Sequence, residues 1–279
     1  MITPLEGRQQ TRALYGLIER QKNLVRRYWA WELAYLAYTL VSVLSIGYLA
    51  AGLSQVGGHV SPGELRQAQL YLLIGSLLWG YLAMVFLEIG YAIVYERWEG
   101  TIEYTFMAPI RRLTHLAGIC GFAVLYGLLR TAVVLVAAQL LFHLDLSHAD
   151  LTAAASVLVA STPAVIGIGI LASVLALLSV EKGAQMMMVV ESIILLISGV
   201  YYPVEVLPGP LQLLGRASPL TYALSGIRES LLHGRGLRDQ LGTLALLLAM
   251  GAVLVPLGLL TFAWAERRAK RLGLLKRSG

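Results

Sequence analysis

Apolar residues in this chain come in long unbroken runs instead of the short alternations of a half-buried strand. Six such runs, residues 30–53, 68–94, 115–142, 151–180, 184–202 and 240–264, are each about twenty residues or more. At a rise of about 1.5 Å per residue, that length of helix crosses a hydrocarbon core of roughly 30 Å. The pattern predicts an all-α membrane protein with six transmembrane helices. It divides the chain into an arm over 1–29, a transmembrane domain over 30–264 and a basic tail over 265–279.

The arm has a pattern of its own. Leu14, Leu17, Ile18, Val25 and Tyr28 fall on one helical stripe with the arginines largely elsewhere, as in a helix lying along a membrane surface. Arg26 and Arg27 would snorkel to the anionic leaflet; a plain solvated arm is the alternative. A long polar stretch precedes the first run, and no small-residue cleavage pattern follows it, so the run is expected to be retained.

Composition agrees with the runs. Hydrophobic residues make up 57% of the 279 and charged ones only 14%, and the mean hydropathy is +0.70, which excludes an ordinary soluble domain of this length. Cys120 is the only cysteine, so no intrachain disulfide forms and a buried inert thiol is expected. Asn23, the only asparagine, is not part of a glycosylation acceptor. The net charge of +6 reads as topology instead of nucleic-acid binding. Sixteen Lys and Arg fall on the face that would carry both termini, five on the other, and Arg130 within a run. The termini are therefore expected in the cytoplasm of a cell with this chain in its inner membrane.

Against this background the stretch YERWEGTIEYTFMAPIRR, residues 95–112, stands out with three glutamates and three arginines. At 100° per residue Glu96, Glu99 and Glu103 share one arc while Trp98, Ile102 and Phe106 share the next, which predicts a short amphipathic helix facing the cytoplasm. Pro109 should end it at Ala108, with Arg111 and Arg112 returning the chain to the headgroups. Gly100 costs about 1 kcal/mol inside a helix, which points to a kink or a close backbone approach. The alternative is a plain loop with solvated charges.

A second irregular stretch, YYPVEVLPGPLQLLGRASPLTYALSGIRESLLHGRG, covers residues 201–236. Pro208 and Pro210 stop the preceding helix. Ser218 and Pro219 read as an N-cap and first helical residue. Leu220, Leu224, Ile227 and Leu231 recur at helical spacing with Arg228 and Glu229 opposite, and Gly234 can close the end. A pair of short helices at the outer face is expected.

These two stretches carry a resemblance. Glu96, then Glu99-Gly100-Thr101-Ile102-Glu103, then Pro109 and Arg112 ahead of a new run, resemble the cytoplasmic loop of ABC-2 type exporter permeases. The order Pro203, Leu207-Pro208, Pro219-Leu220-Thr221-Tyr222 and Gly226-Ile227-Arg228 is similar to that family's outer segment. Ile102 stands where the family commonly has Leu, a conservative departure. The resemblance covers essentially all six runs. It implies that Glu96, Arg97, Trp98, Glu99, Gly100, Thr101, Ile102 and Glu103 form a coupling helix between helices 2 and 3 that docks on an ATPase subunit. It further implies an outer gate containing Pro203, Pro208, Pro219, Tyr222 and Arg228; a lid that only stabilises the dimer is the alternative. No G-x-x-x-x-G-K-[ST] phosphate loop occurs, so ATP and Mg are expected on a partner ATPase and no cofactor in this chain. Six spans are half a transporter, implying two ATPase copies and a second permease chain, as a homodimer, among membrane lipids.

Glu88, Arg130 and Glu191 lie inside apolar runs, where each would cost roughly 3 kcal/mol or more facing lipid. They are candidates for a translocation path, as are Tyr201 and Tyr202; helix-to-helix bonding and an interfacial aromatic belt are the alternatives. Glu88 and Glu191 count to similar depth and Arg130 lies deeper, while Glu32 is interfacial. His143, Asp145, His148 and Asp150 match no metal-ligand spacing, and Ser147 and Asp150 read as caps of the fourth helix.

The reading is an ATP-driven export permease for an amphiphile such as a polysaccharide or glycolipid, a lipid or a drug, and not an enzyme. Two other classes compete. An intramembrane lipid-modifying enzyme would need converging nucleophiles or metal ligands, yet H-E-x-x-H and G-x-S-x-G are absent. An ion-coupled secondary transporter has only the three intramembrane charges in its favour, with no evident inverted repeat.

Overall fold

A computed structural model describes residues 7–56, 61–142, 149–179 and 181–275. Within them the chain forms ten α-helices: α1 (Gly7–Arg27), α2 (Trp29–Val56), α3 (Pro62–Trp98), α4 (Ile102–Met107), α5 (Arg112–Phe142), α6 (Leu151–Leu178), α7 (Gly183–Ile197), α8 (Gly209–Ala217), α9 (Pro219–Leu232) and α10 (Leu241–Arg271). A single 3₁₀ turn, Val204–Val206, precedes α8.

Local chemistry sets several of these ends. Ser61 opens α3 as one half of a capping box: its hydroxyl accepts from the Glu64 amide, and the Glu64 carboxylate accepts from the Ser61 amide at 3.0 Å. Asp150 caps α6 by accepting from Ala153 N at 2.8 Å, as expected. Ser147 and the histidines 143 and 148, with Asp145, lie outside the described residues.

Five helices, α2, α3, α5, α6 and α10, are long and apolar enough to cross a membrane. The fifth expected run differs. Its helix, α7, ends at Ile197, so only 15 residues, about 22 Å, are helical. Gly199 then takes a left-handed φ of 70°, and Ser198, Gly199 and Val200 are buried. The chain still changes ends of the bundle, because α7 begins against Ala176 near the end of α6 while Val200 meets Arg228 at the other end. Non-helical backbone at this depth is tolerated where protein covers it. Tyr201 and Tyr202 thus lie beyond the helix, not at its tip.

The packed centre is α3 and α6, with α10 laid along α6. Lipid tails are as apolar as leucine, so close approach of backbones and tight packing hold such helices together. On α6 the buried positions are mostly small, among them Ala160, Ala164, Gly167, Gly169, Ala172 and Ala176. Gly167 lies against the α10 backbone: a Cβ there would be 2.6 Å from the carbonyl carbon of Leu254. Gly167→Ala should therefore cost about 1–3 kcal/mol through forced separation of α6 and α10. Thermal unfolding of the purified permease in detergent checks this; an unshifted midpoint refutes it. By contrast α2 stands at the edge, with Trp29, Tyr38, Tyr48 and Leu49 largely exposed.

Contacts define two ends. At one lie α1, α4, the end of α3, the start of α5 and the ends of α6 and α10. At the other lies the α8–α9 pair, where the Asp150 amide donates to Ser230 O and Gln240 to Gly226 O.

Candidate functional site

The charged stretch folds as two pieces, not one helix. α3 continues through Glu96, Arg97 and Trp98, and Glu99 is its C-cap. Gly100 follows in the left-handed region at φ 72°. Its amide donates to Arg97 O at 3.1 Å and the Thr101 amide to Glu96 O at 2.8 Å, the paired bonds of a Schellman ending. α4 then starts afresh at Ile102. As expected, α4 stops before Pro109, with Ala108 extended.

The break rotates α4 relative to α3, so the expected acidic and aromatic arcs do not persist across it. Glu96 is buried and Trp98 is 61% exposed. Ile102 and Phe106 do face inward, fully or almost fully buried, while Glu103 faces out and Tyr104 and Met107 are 79% and 75% exposed.

Glu96 is the hub beneath α4. Its Oε1 accepts from Arg20 Nη1 at 2.9 Å and from His115 Nε2 at 3.0 Å; against an ionised carboxylate, His115 must carry its proton on Nε2. Arg20 also donates to Thr101 Oγ1 at 2.9 Å and lies 3.6 Å from Glu99. One arginine of α1 thus joins the last turn of α3 to the first residue before α4. Arg20 and His115 were not among the expected site residues. Arg20 sits three places after Leu17 and four before Leu24, on the stripe that α1 turns inward, and that was its one visible signal.

Arg97, expected on the docking surface, is buried instead. It donates to Ala176 O at 2.6 Å and to Leu177 O and Leu274 O at 3.0 Å each. It therefore satisfies end carbonyls of α6 and ties in the chain after α10. Arg112 does not reach for headgroups either: its guanidinium lies 4.4 Å from the Phe106 ring centroid and 2.9 Å from Glu266, while Arg111 is exposed. Phe106 packs on Phe262 of α10 and on His115 of α5. α4 is consequently a wedge held by α1, α3, α5 and α10, with three side chains left facing outward.

At the other end the expected hairpin is present, with Pro208 before α8, Pro219 as the first residue of α9 and Gly234 at φ 62° closing it. Pro203 precedes the 3₁₀ turn. Ser218 is the N-cap position, but its hydroxyl meets Ser198 at 3.1 Å. The Tyr222 hydroxyl donates to Arg216 O at 2.7 Å, closing α9 on α8. Arg228 does not lie opposite the apolar stripe: it is buried, and its guanidinium donates to Gly199 O, Val200 O and Tyr71 O. Desolvation draws its pKa below the ordinary arginine value, and it remains a cation.

Of the intramembrane charges, Glu88 and Arg130 lie near enough to feel each other, with Glu32 beside them, while Glu191 stands apart. Arg130 donates to Thr39 Oγ1 at 3.0 Å and to Met84 Sδ at 3.4 Å, and among the described residues it makes no hydrogen bond to a carboxylate. Glu88 lines a cavity between α1, α2, α3 and α5, whereas Glu191, half-buried on α7, does not. Tyr202 donates its hydroxyl to Leu196 O, and Tyr201 packs beside the α9 cluster. Cys120 is buried. Among the described residues no group of His, Cys, Asp and Glu could hold a metal ion.

Comparison with known proteins gives one family model, described as ABC-2 type transporter, which matches residues 12–232. That span takes in α1, the α3–α4 junction and the whole α8–α9 pair. No curated protein matches the chain.

Proposed function

The chain belongs to the ABC-2 type transporter family, and from that premise we propose that it exports an amphiphile by borrowing work from a separate ATPase through α4. As a membrane subunit of an ABC transporter it is a transport component, with ATP and Mg on the partner. Two copies of the chain and two ATPase copies would make the working unit, with both termini and α4 in the cytoplasm by the weight of basic residues.

One observation carries this reading: α4 buries Ile102 and Phe106 and leaves Tyr104, Met107 and Glu103 outward. An aromatic and a methionine on a rigid turn are the kind of anchor that fills a partner's cleft. The underside of the same turn touches α10 through Phe106 and Phe262 and, through Thr101, the Arg20–Glu96 pair. Movement of a docked ATPase would tilt α4 and shift these helices together, favouring one of two packings that expose the path inward or outward.

The test is a Tyr104→Asp, Met107→Asp double variant, which alters only exposed side chains. Loss of two anchors should weaken ATPase capture by about 3 kcal/mol or more, over a hundredfold, while the permease still runs as a folded particle. Normal co-purification of an ATP-hydrolysing subunit with that variant would overturn the docking assignment.

A further inference from the structure

The cavity beside Glu88 has a composition that the coupling role does not use. It holds about 260 Å³ and lies between α1, α2, α3 and α5 at the α4 end of the bundle. Six aromatic rings line it: Tyr28, Trp31, Tyr35, Tyr95, Trp98 and Phe122. Trp31 and Trp98 are largely exposed and flank the opening. Three carboxylates, Glu32, Glu88 and Glu99, share the same walls.

The partners of these acids are unequal. Glu99 has Arg20 at 3.6 Å, and Glu32 accepts from the Tyr126 hydroxyl. Glu88 is half-buried in the cavity wall and makes no hydrogen bond and no ion pair among the described residues; the charges it feels are another acid, Glu32, and one cation, Arg130. The cations of this region are few: Arg20 is held by Glu96 and Thr101, Arg27 lies over the Tyr28 ring, and Arg130, hydrogen-bonded to the neutral Thr39 and Met84, is one charge facing both Glu32 and Glu88. Two half-buried carboxylates, Glu32 and Glu88, set against one arginine leave this wall short of positive charge, and a guest cation would supply it. Aromatic faces attract the same guest through their negative quadrupole. A small inorganic ion would leave the rings unused and most of the volume empty.

We propose that this cavity binds an organic cation carrying an apolar body, of the quaternary ammonium type, with Glu88 as its counter-charge and Trp98 and Tyr95 among its walls. The lining by α1 and α2, the two most peripheral elements at this end, gives such a molecule a lateral way in from the adjoining leaflet. The proposal deepens the export reading by naming a substrate class and rests on it for the onward route, but not for binding. The ammonium could belong to a lipid headgroup or to a diffusible solute.

The test is equilibrium dialysis of the purified chain in uncharged detergent with phenyltrimethylammonium, set against its neutral isostere tert-butylbenzene. We expect saturable binding of the cation alone, weakened tenfold or more by Glu88→Gln and several-fold by Trp98→Ala, an exposed position where folding is not at stake. Phosphatidylcholine displacing the cation assigns the site to a lipid headgroup, and failure to displace assigns it to a solute; either supports the site. Equal binding of the neutral isostere, or unchanged cation affinity in Glu88→Gln, overturns it. Binding to the permease alone needs no ATPase, so a negative here leaves docking at α4 standing, and a failed docking test leaves this site standing.

Discussion

Arg228→Met is expected to destabilise the purified permease by about 3–5 kcal/mol, read as a drop of many degrees in its thermal midpoint, and to abolish transport. Methionine keeps an apolar stem of similar length but no donors. The guanidinium it replaces donates to Gly199 O at 2.9 Å, to Val200 O, and to Tyr71 O at 3.3 Å, and lies 3.6 Å from the Tyr71 ring centroid. These carbonyls matter because α7 has already ended: the buried backbone at 199–200 has no next turn of helix to bond it. Each carbonyl left without a donor in a dry site costs roughly 1–3 kcal/mol. Lysine, with one ammonium in place of a planar fork, should recover only part of the loss. Gly75 makes room for this arrangement, since a Cβ there would come within 2.3 Å of both Arg228 Nη2 and Val200 O. Gly75→Ala should therefore injure the same joint, and the double variant should lose clearly less than the sum of the two. An unchanged midpoint in Arg228→Met, or strict additivity with Gly75→Ala, would falsify the assignment of Arg228 as the clasp of the unwound segment.

That joint also marks where the sequence stopped being readable. The long helices were legible because an apolar run of twenty-odd residues has one economical structure in lipid. The end of α7 was not, since Ser198–Val200 continue the apolar pattern, and only an arginine 28 positions away from Val200 makes it possible for the chain to unwind there. The charged stretch shows the same division. Its stop at Pro109 is a local rule and held. The assignment of faces assumed one unbroken helix; the left-handed Gly100 divides it, and Glu96 and Arg97 stay with α3, drawn inward by Arg20, His115 and the α6 carbonyls, while Trp98 faces outward. Arg20 and His115 meet Glu96 across separations of 76 and 19 residues, which no helical period reports. The same limit hid the cavity at Glu88, whose walls come from four helices.

Gly100→Val is expected to cut export tenfold or more while the permease remains inserted, binds its ATPase and lets ATP hydrolysis continue. A β-branched residue at φ 72° is strained by at least roughly 1–2 kcal/mol. Relief comes only by opening the bonds from Gly100 N to Arg97 O and from Thr101 N to Glu96 O. Thr101 would then leave Arg20, and α4 would lose its fixed angle to α3 and to the Arg20–Glu96–His115 group. The outward anchors on α4 would still be present, so docking should survive where transmission fails. Asparagine tolerates the left-handed region far better than valine, and Gly100→Asn should keep most of the wild-type export. Export per ATP hydrolysed, measured in proteoliposomes, separates these outcomes: Val low, Asn close to wild type. Should the valine variant export at the wild-type ratio, α4 does not transmit work through its junction with α3, and force must enter the bundle elsewhere.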